Sequence, residues 1–227
     1  MLDIVLIHSP LVGPASLQPT ADALKQLGFP AYVPSPQQQY GEIPAWRDWA
    51  AKLIDDLPAT DRPVIVGHSM GGLLAARLAS ALGASGMICL DAALPPESGQ
   101  TATVDPAFHS FVKSLPLEDG TLPPWNEWWP IDVFEGVNVS PDLRARVLGD
   151  IPRLPLNWFD DTFEMPPWTE TKRAFVRTSP TFIPAAQQAE ALGWAVEKLR
   201  GTHMHPATHP DQTAKAIISC CRKMGLV

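Results

Sequence analysis

Residues 64–72, VIVGHSMGG, lead a β-branched apolar run into a glycine-flanked serine and then straight into the alanine- and leucine-rich stretch LLAARLASALG. Valine and isoleucine favour extended backbone, alanine and leucine favour helix, so the chain has to change direction within a few residues of Ser69. Gly67-His68-Ser69-Met70-Gly71 has the form G-x-S-x-G between a strand and a helix. A serine at such a corner is held out above the sheet, and glycines two positions either side allow close backbone approach. The same turn aims the Met70 amide, at the start of the helix, toward a developing oxyanion.

The flanking sequence alternates in the same way. DIVLIHS and PAYVPS read as strands around SLQPTADALKQLG, where Leu17, Ala21, Leu24 and Leu27 recur at helical spacing and Gly28 closes the helix. PAWRDWAAKLIDDL, opened by Pro44, reads as a second helix, PVIVG as the third strand, GGLLAARLASALG as a helix and GMICLDA as the fourth strand. From Leu94 to about Thr169 the rhythm breaks into segments dense in Pro and Trp, although SPDLRARVLGD has the form of a short helix with Ser140 as cap and Pro141 at its first position. Alternation then resumes with RAFVRTS, PAAQQAEALG, AVEKLRG and a last helix, HPDQTAKAIISCCRK. These patterns predict an α/β protein with a mostly parallel sheet wrapped by helices: a core of residues 1–94 and 170–227, and an insertion of residues 95–169 after the fourth predicted strand.

Composition narrows the partners. Seventeen Lys and Arg against 24 Asp and Glu give a net charge of -7 with no basic run, which opposes nucleic acid and anionic lipid. No apolar stretch approaches the roughly 20 residues that cross a bilayer. The N-terminal MLDIVLIHSP carries Asp3 and reads as a strand, not a signal peptide. Cys89, Cys220 and Cys221 match no zinc or disulfide spacing and suit a reducing, cytoplasmic setting. Oligomeric state is left open.

With VLIHS on the first strand, VIVGHSMGG at the elbow, ICLDAALP before the insertion and GTHMHPATHPDQTAKAI at the end, the chain resembles the α/β-hydrolase family over nearly its whole length. The resemblance implies a doubly wound sheet with a Pro/Trp-rich cap, a nucleophilic Ser69, a histidine base after the last strand, an acid after a late strand, and no metal or organic cofactor. In the family's closing pattern the histidine stands seven residues before the proline that opens the final helix. His203 and Pro210 keep that spacing and His205 does not. His8 resembles the histidine of the family's oxyanion loop and, like His68, is expected to brace a loop. A rival reading of H-x-H-x-x-x-H, residues 203–209, is a metal site, although companion acid or cysteine ligands are missing nearby.

Two positions depart from the family pattern. The usual acid site, after the strand before the last, holds Ser179 and Pro180, which leaves Asp91 after ICL as the expected acid and Glu97, Asp105 or no acid as alternatives. The usual second oxyanion amide falls on Pro10, which has no N–H. Leu11 is the expected replacement, with the Ser9 amide or the Ser9 hydroxyl as alternatives. Trp125, Trp128 and Trp129, clustered between prolines, are expected to line the substrate site. The implied activity is hydrolysis of a small to medium, largely apolar ester, lactone or related acyl compound. A lyase or carbon-carbon bond-cleaving enzyme using Ser69 and His203 as acid and base, and a non-catalytic small-molecule binder, are the competing readings.

Overall fold

β1 (Ile4–Ile7), β3 (Val64–His68) and β4 (Gly86–Leu90) are buried along their whole length, which is why they read as unbroken apolar runs and not as alternating strands. The structure, a computed structural model, describes residues 2–36, 45–168 and 170–227. With the two-residue β2 (Ala31–Tyr32), β7 (Lys172–Arg177) and β8 (Ala195–Lys198), the strands form a six-stranded parallel sheet in the order β2-β1-β3-β4-β7-β8.

Alternate residues of each strand face opposite layers. Ile4, Leu6, Val64, Val66, Ile88 and Leu90 pack with α1 (Gln18–Gln26) and the last helix, α8 (Pro210–Lys223). Val5, Ile7, Ile65, Met87, Cys89 and Phe175 pack on the other side with α2 (Trp46–Asp55), α3 (Gly71–Ala81) and α6 (Ile183–Ala191). Pro44, expected to open α2, and Thr169, the expected end of the insertion, lie outside the described residues. α7 (His205–Thr208) forms a single turn before α8.

The insertion is closed at its neck by β5 (Gly99–Ala102) pairing antiparallel with β6 (Thr162–Met165), Gly99 opposite Met165. This pairing was not legible beforehand, because the sequence GQTA has no apolar alternation. Between the two strands lie α4 (Pro106–Lys113), capped by Asp105 Oδ1, which accepts from Ala107 N and Phe108 N, and α5 (Pro141–Gly149), capped by Ser140 Oγ accepting from Leu143 N at 3.2 Å. The insertion shares the core of the main sheet: Trp158 meets Trp46 edge-on at 5.0 Å, and Phe163 lies 6.0 Å from the same ring. A smaller cluster joins Phe134 and Val147 of the insertion to Met204 and Ala207 beside His203. Among the described residues no helix is long and apolar enough to cross a membrane.

Candidate active site

In a parallel sheet the crevice beyond the carboxyl ends of the strands is where side chains from different segments converge. Ser9 follows β1, Ser69 follows β3, Asp91 follows β4 and Thr178 follows β7, so all four belong to that edge. The elbow itself is sterically dictated. Ser69 sits at φ 57°, and an added Cβ would lie 2.5 Å from Gly71 O at position 67 and 2.4 Å from Ile7 O at position 71. A side chain at either glycine would force this backbone to shift. Met70 immediately precedes α3, where the first amides of a helix have no intrahelical acceptor.

Asp91 also takes a left-handed conformation, φ 46°, and its carboxylate is fully buried. Oδ2 accepts from His203 Nδ1 at 2.8 Å and from Ser179 Oγ at 2.6 Å, while Oδ1 accepts from the amides of Thr178 and Ser179 at 2.8 and 2.9 Å. Burial alone would raise its pKa. The His203 hydrogen bond and charge, with the Ser179 hydroxyl and amide, outweigh burial and hold it at about 2. An ionised Asp91 fixes the His203 proton on Nδ1 and leaves Nε2 as the basic nitrogen.

His68 and His8 brace this arrangement. His68 Nε2 donates to the backbone carbonyl of His203 at 3.0 Å, and the two rings lie 4.6 Å apart. Desolvation, reinforced by the neighbouring His203, lowers the His68 pKa to about 3, so its ring stays neutral. His8 Nδ1 donates to the Ser9 carbonyl at 2.8 Å and its Nε2 accepts from Ser35 Oγ at 3.2 Å; burial lowers its pKa as well.

Ser69 and His203 line one cavity of about 1200 Å³ with Met70, Trp125, Trp129 and Phe182. Phe182 stacks on the His203 ring at 5.4 Å. Asp105, Asp132 and Glu135 also border the cavity, and no Lys or Arg does so among the described residues. Two expectations need correction. Trp128 does not line the cavity: it is buried within the insertion against Phe108, Phe111 and Phe159, and its indole N–H is satisfied by the Pro123 carbonyl at 2.7 Å. The Leu11 amide, expected as an oxyanion donor, instead donates to Ser9 Oγ at 3.2 Å. His205 and His209 stack on each other at 4.5 Å while His203 is turned to Asp91, and among the described residues no group of three or more His, Cys, Asp or Glu could hold a metal ion. Sequence reasoning missed the roles of Thr178 and Ser179, whose only signal was their place at the end of β7.

The alpha/beta hydrolase family model matches residues 4–216, and the chain belongs to that family. Its fold is similar to that of tomato methylketone synthase I complexed with 2-tridecanone, at 18% identity, 98% coverage of each chain and a TM-score of 0.74. It is also similar to the pyrethroid hydrolase PytH, at 17% identity, 100% coverage of each chain and a TM-score of 0.72. An extracellular alpha/beta-hydrolase from a Paenibacillus species matches at 18% identity over 97% of this chain and 99% of that one, with a TM-score of 0.64. No curated protein sequence matches the chain.

Proposed function

We propose that this protein is a serine hydrolase that cleaves an uncharged, largely apolar ester, lactone or related acyl compound through an acyl-enzyme on Ser69. The observation that carries the reading is that Ser69, on its strained corner, shares a largely apolar cavity with His203, whose far nitrogen is held by a buried, ionised Asp91. Ser69 Oγ attacks the carbonyl carbon, His203 Nε2 takes the serine proton and returns it to the leaving group, and the Met70 amide stabilises the oxyanion. Water then releases the acid by the reverse sequence. An acidic border without a lining cation disfavours carboxylate-bearing substrates, and Trp125, Trp129 and Phe182 supply flat apolar walls that favour aryl or alkyl groups. The hydrolase names of two similar folds are in keeping with this chemistry.

Treatment with a fluorophosphonate probe and assay with p-nitrophenyl acetate and butyrate, beside Ser69→Ala, tests the reading. Labelling and turnover that vanish in the variant are expected. Labelling without turnover would favour the lyase reading, and neither would favour a binding protein.

A further inference from the structure

We infer that the hydroxyl of Ser9 is the second oxyanion donor, replacing the amide that Pro10 cannot supply. The inference rests on the hydrolase reading above and extends it to a residue outside the elbow and the His203–Asp91 pair. Position 10 has no N–H, and the next amide along, Leu11 N, is already donated to Ser9 Oγ at 3.2 Å. That bond occupies a lone pair on Ser9 and leaves its hydroxyl proton to be donated elsewhere. Ser9 is 2% exposed, and its hydroxyl donates to no described residue. A buried hydroxyl proton of this kind requires an acceptor.

The surroundings indicate where that acceptor sits. Ser9 and Ser69 line a recess of about 10 Å³, space for a single oxygen-sized atom. Leu11, Ser69, Trp125, His203 and Met204 line both this recess and the large cavity, so the recess adjoins the cavity at Ser69 and His203. Ser9 itself is rigidly placed, since its carbonyl accepts from His8 Nδ1 at 2.8 Å and from Val12 N at 3.0 Å. An N–H donating into a hydroxyl oxygen polarises the O–H and makes it a stronger donor.

In acylation, the Ser69 oxygen forms a bond to the carbonyl carbon as the π pair moves onto the carbonyl oxygen. That oxygen accepts from the Met70 amide and the Ser9 hydroxyl, and Ser9 keeps its proton throughout. When the pair returns, the carbonyl reforms and the leaving group departs with the proton carried by His203.

The test compares wild type, Ser69→Ala and Ser9→Ala by p-nitrophenyl butyrate kinetics, fluorophosphonate labelling rate and thermal melting. Loss of one oxyanion donor should lower kcat and the labelling rate of Ser9→Ala by about a hundredfold, with KM within about threefold of wild type, while the buried Leu11 amide, left without its acceptor, lowers the melting temperature. Should Ser9→Ala melt below the assay temperature, Ser9→Cys, similar in size but a weak donor, is read in the same way. A kcat and labelling rate within about threefold of wild type overturn the assignment. So does unchanged labelling with slowed release of the acyl-enzyme, which would make the recess the seat of the hydrolytic water. If wild type itself neither labels nor turns over, or Ser69→Ala behaves like wild type, the hydrolase reading falls and the Ser9 assignment with it. Failure of Ser9→Ala alone leaves that reading standing.

Discussion

Ser179 Oγ donates to Asp91 Oδ2 at 2.6 Å, so the position where the family pattern places its acid is instead a hydrogen-bond donor to a carboxylate from the neighbouring strand. The parallel pairing of β4 with β7 brings the two strand ends side by side. The carboxylate that meets the imidazole of His203 comes after β4.

Replacing Asp91 with Asn should therefore reduce kcat by about 10⁴-fold, because an amide no longer fixes the proton on His203 Nδ1. Steady-state kinetics on a neutral p-nitrophenyl ester, with circular dichroism showing a folded variant, checks this. An unchanged rate would remove Asp91 from the mechanism.

His68, beside Ser69 in the turn, is tied to His203 through one bond from its ring to the His203 carbonyl. His68→Leu should lower kcat about tenfold at nearly constant KM, as His203 loses its backbone anchor. His68→Gln, whose side-chain amide can donate to the same carbonyl, should recover most of that loss. Equal losses in the two variants would reduce His68 to a packing role.

Acid should destabilise the fold in two windows. His68 titrates at about 3 in the folded protein against an ordinary 6.5, and Asp91 at about 2 against 3.8. In both cases the unfolded chain takes up a proton that the folded protein refuses, so stability is complete above the ordinary value and falls as pH drops toward the folded one. Each such proton corresponds to about 1.4 kcal/mol per pH unit within its window. Thermal melts from pH 8 to pH 4 should show a melting temperature that declines below pH 6.5. His68→Gln should shrink that decline without abolishing it, since buried His8 is also held neutral.

Gly71→Ala places a methyl 2.4 Å from the Ile7 carbonyl and 2.9 Å from that of His8, both backbone atoms that cannot swing aside. Urea unfolding should show a loss of about 3 kcal/mol or more. Gly149→Ala, with nothing within 4 Å of the added carbon, should leave stability the same or slightly higher.

The acidic border of the cavity predicts discrimination by substrate charge. At low salt, kcat/KM for p-nitrophenyl butyrate should exceed that for mono-p-nitrophenyl succinate at least tenfold, and the gap should narrow as salt rises. Trp129→Ala should raise KM for aryl esters, since Trp129 is part of the cavity wall.

His203 was singled out by the spacing to Pro210 that the family resemblance implies, whereas the alternation of strands and helices and the turn at Ser69 could be read directly, because each is a local pattern of backbone preference, glycine clearance or a cap. The helix at Pro141–Gly149 was legible for the same reason. The insertion was less readable, since its two strands stabilise each other across some sixty residues and neither carries the signal alone. Trp125, Trp128 and Trp129 look alike in sequence, yet two face the cavity and one is packed away from it.

By itself the sequence determined which segments become strands and helices and where the backbone must bend sharply, because those follow from contacts a few residues apart. Only the tertiary structure decided that Asp91 meets His203, that Ser179 supports it, and that the Leu11 amide is spent on Ser9. Those pairings depend on which strand ends lie side by side and on differences of an ångström or two in where a loop places its donors. Such distances are set by packing across the whole sheet.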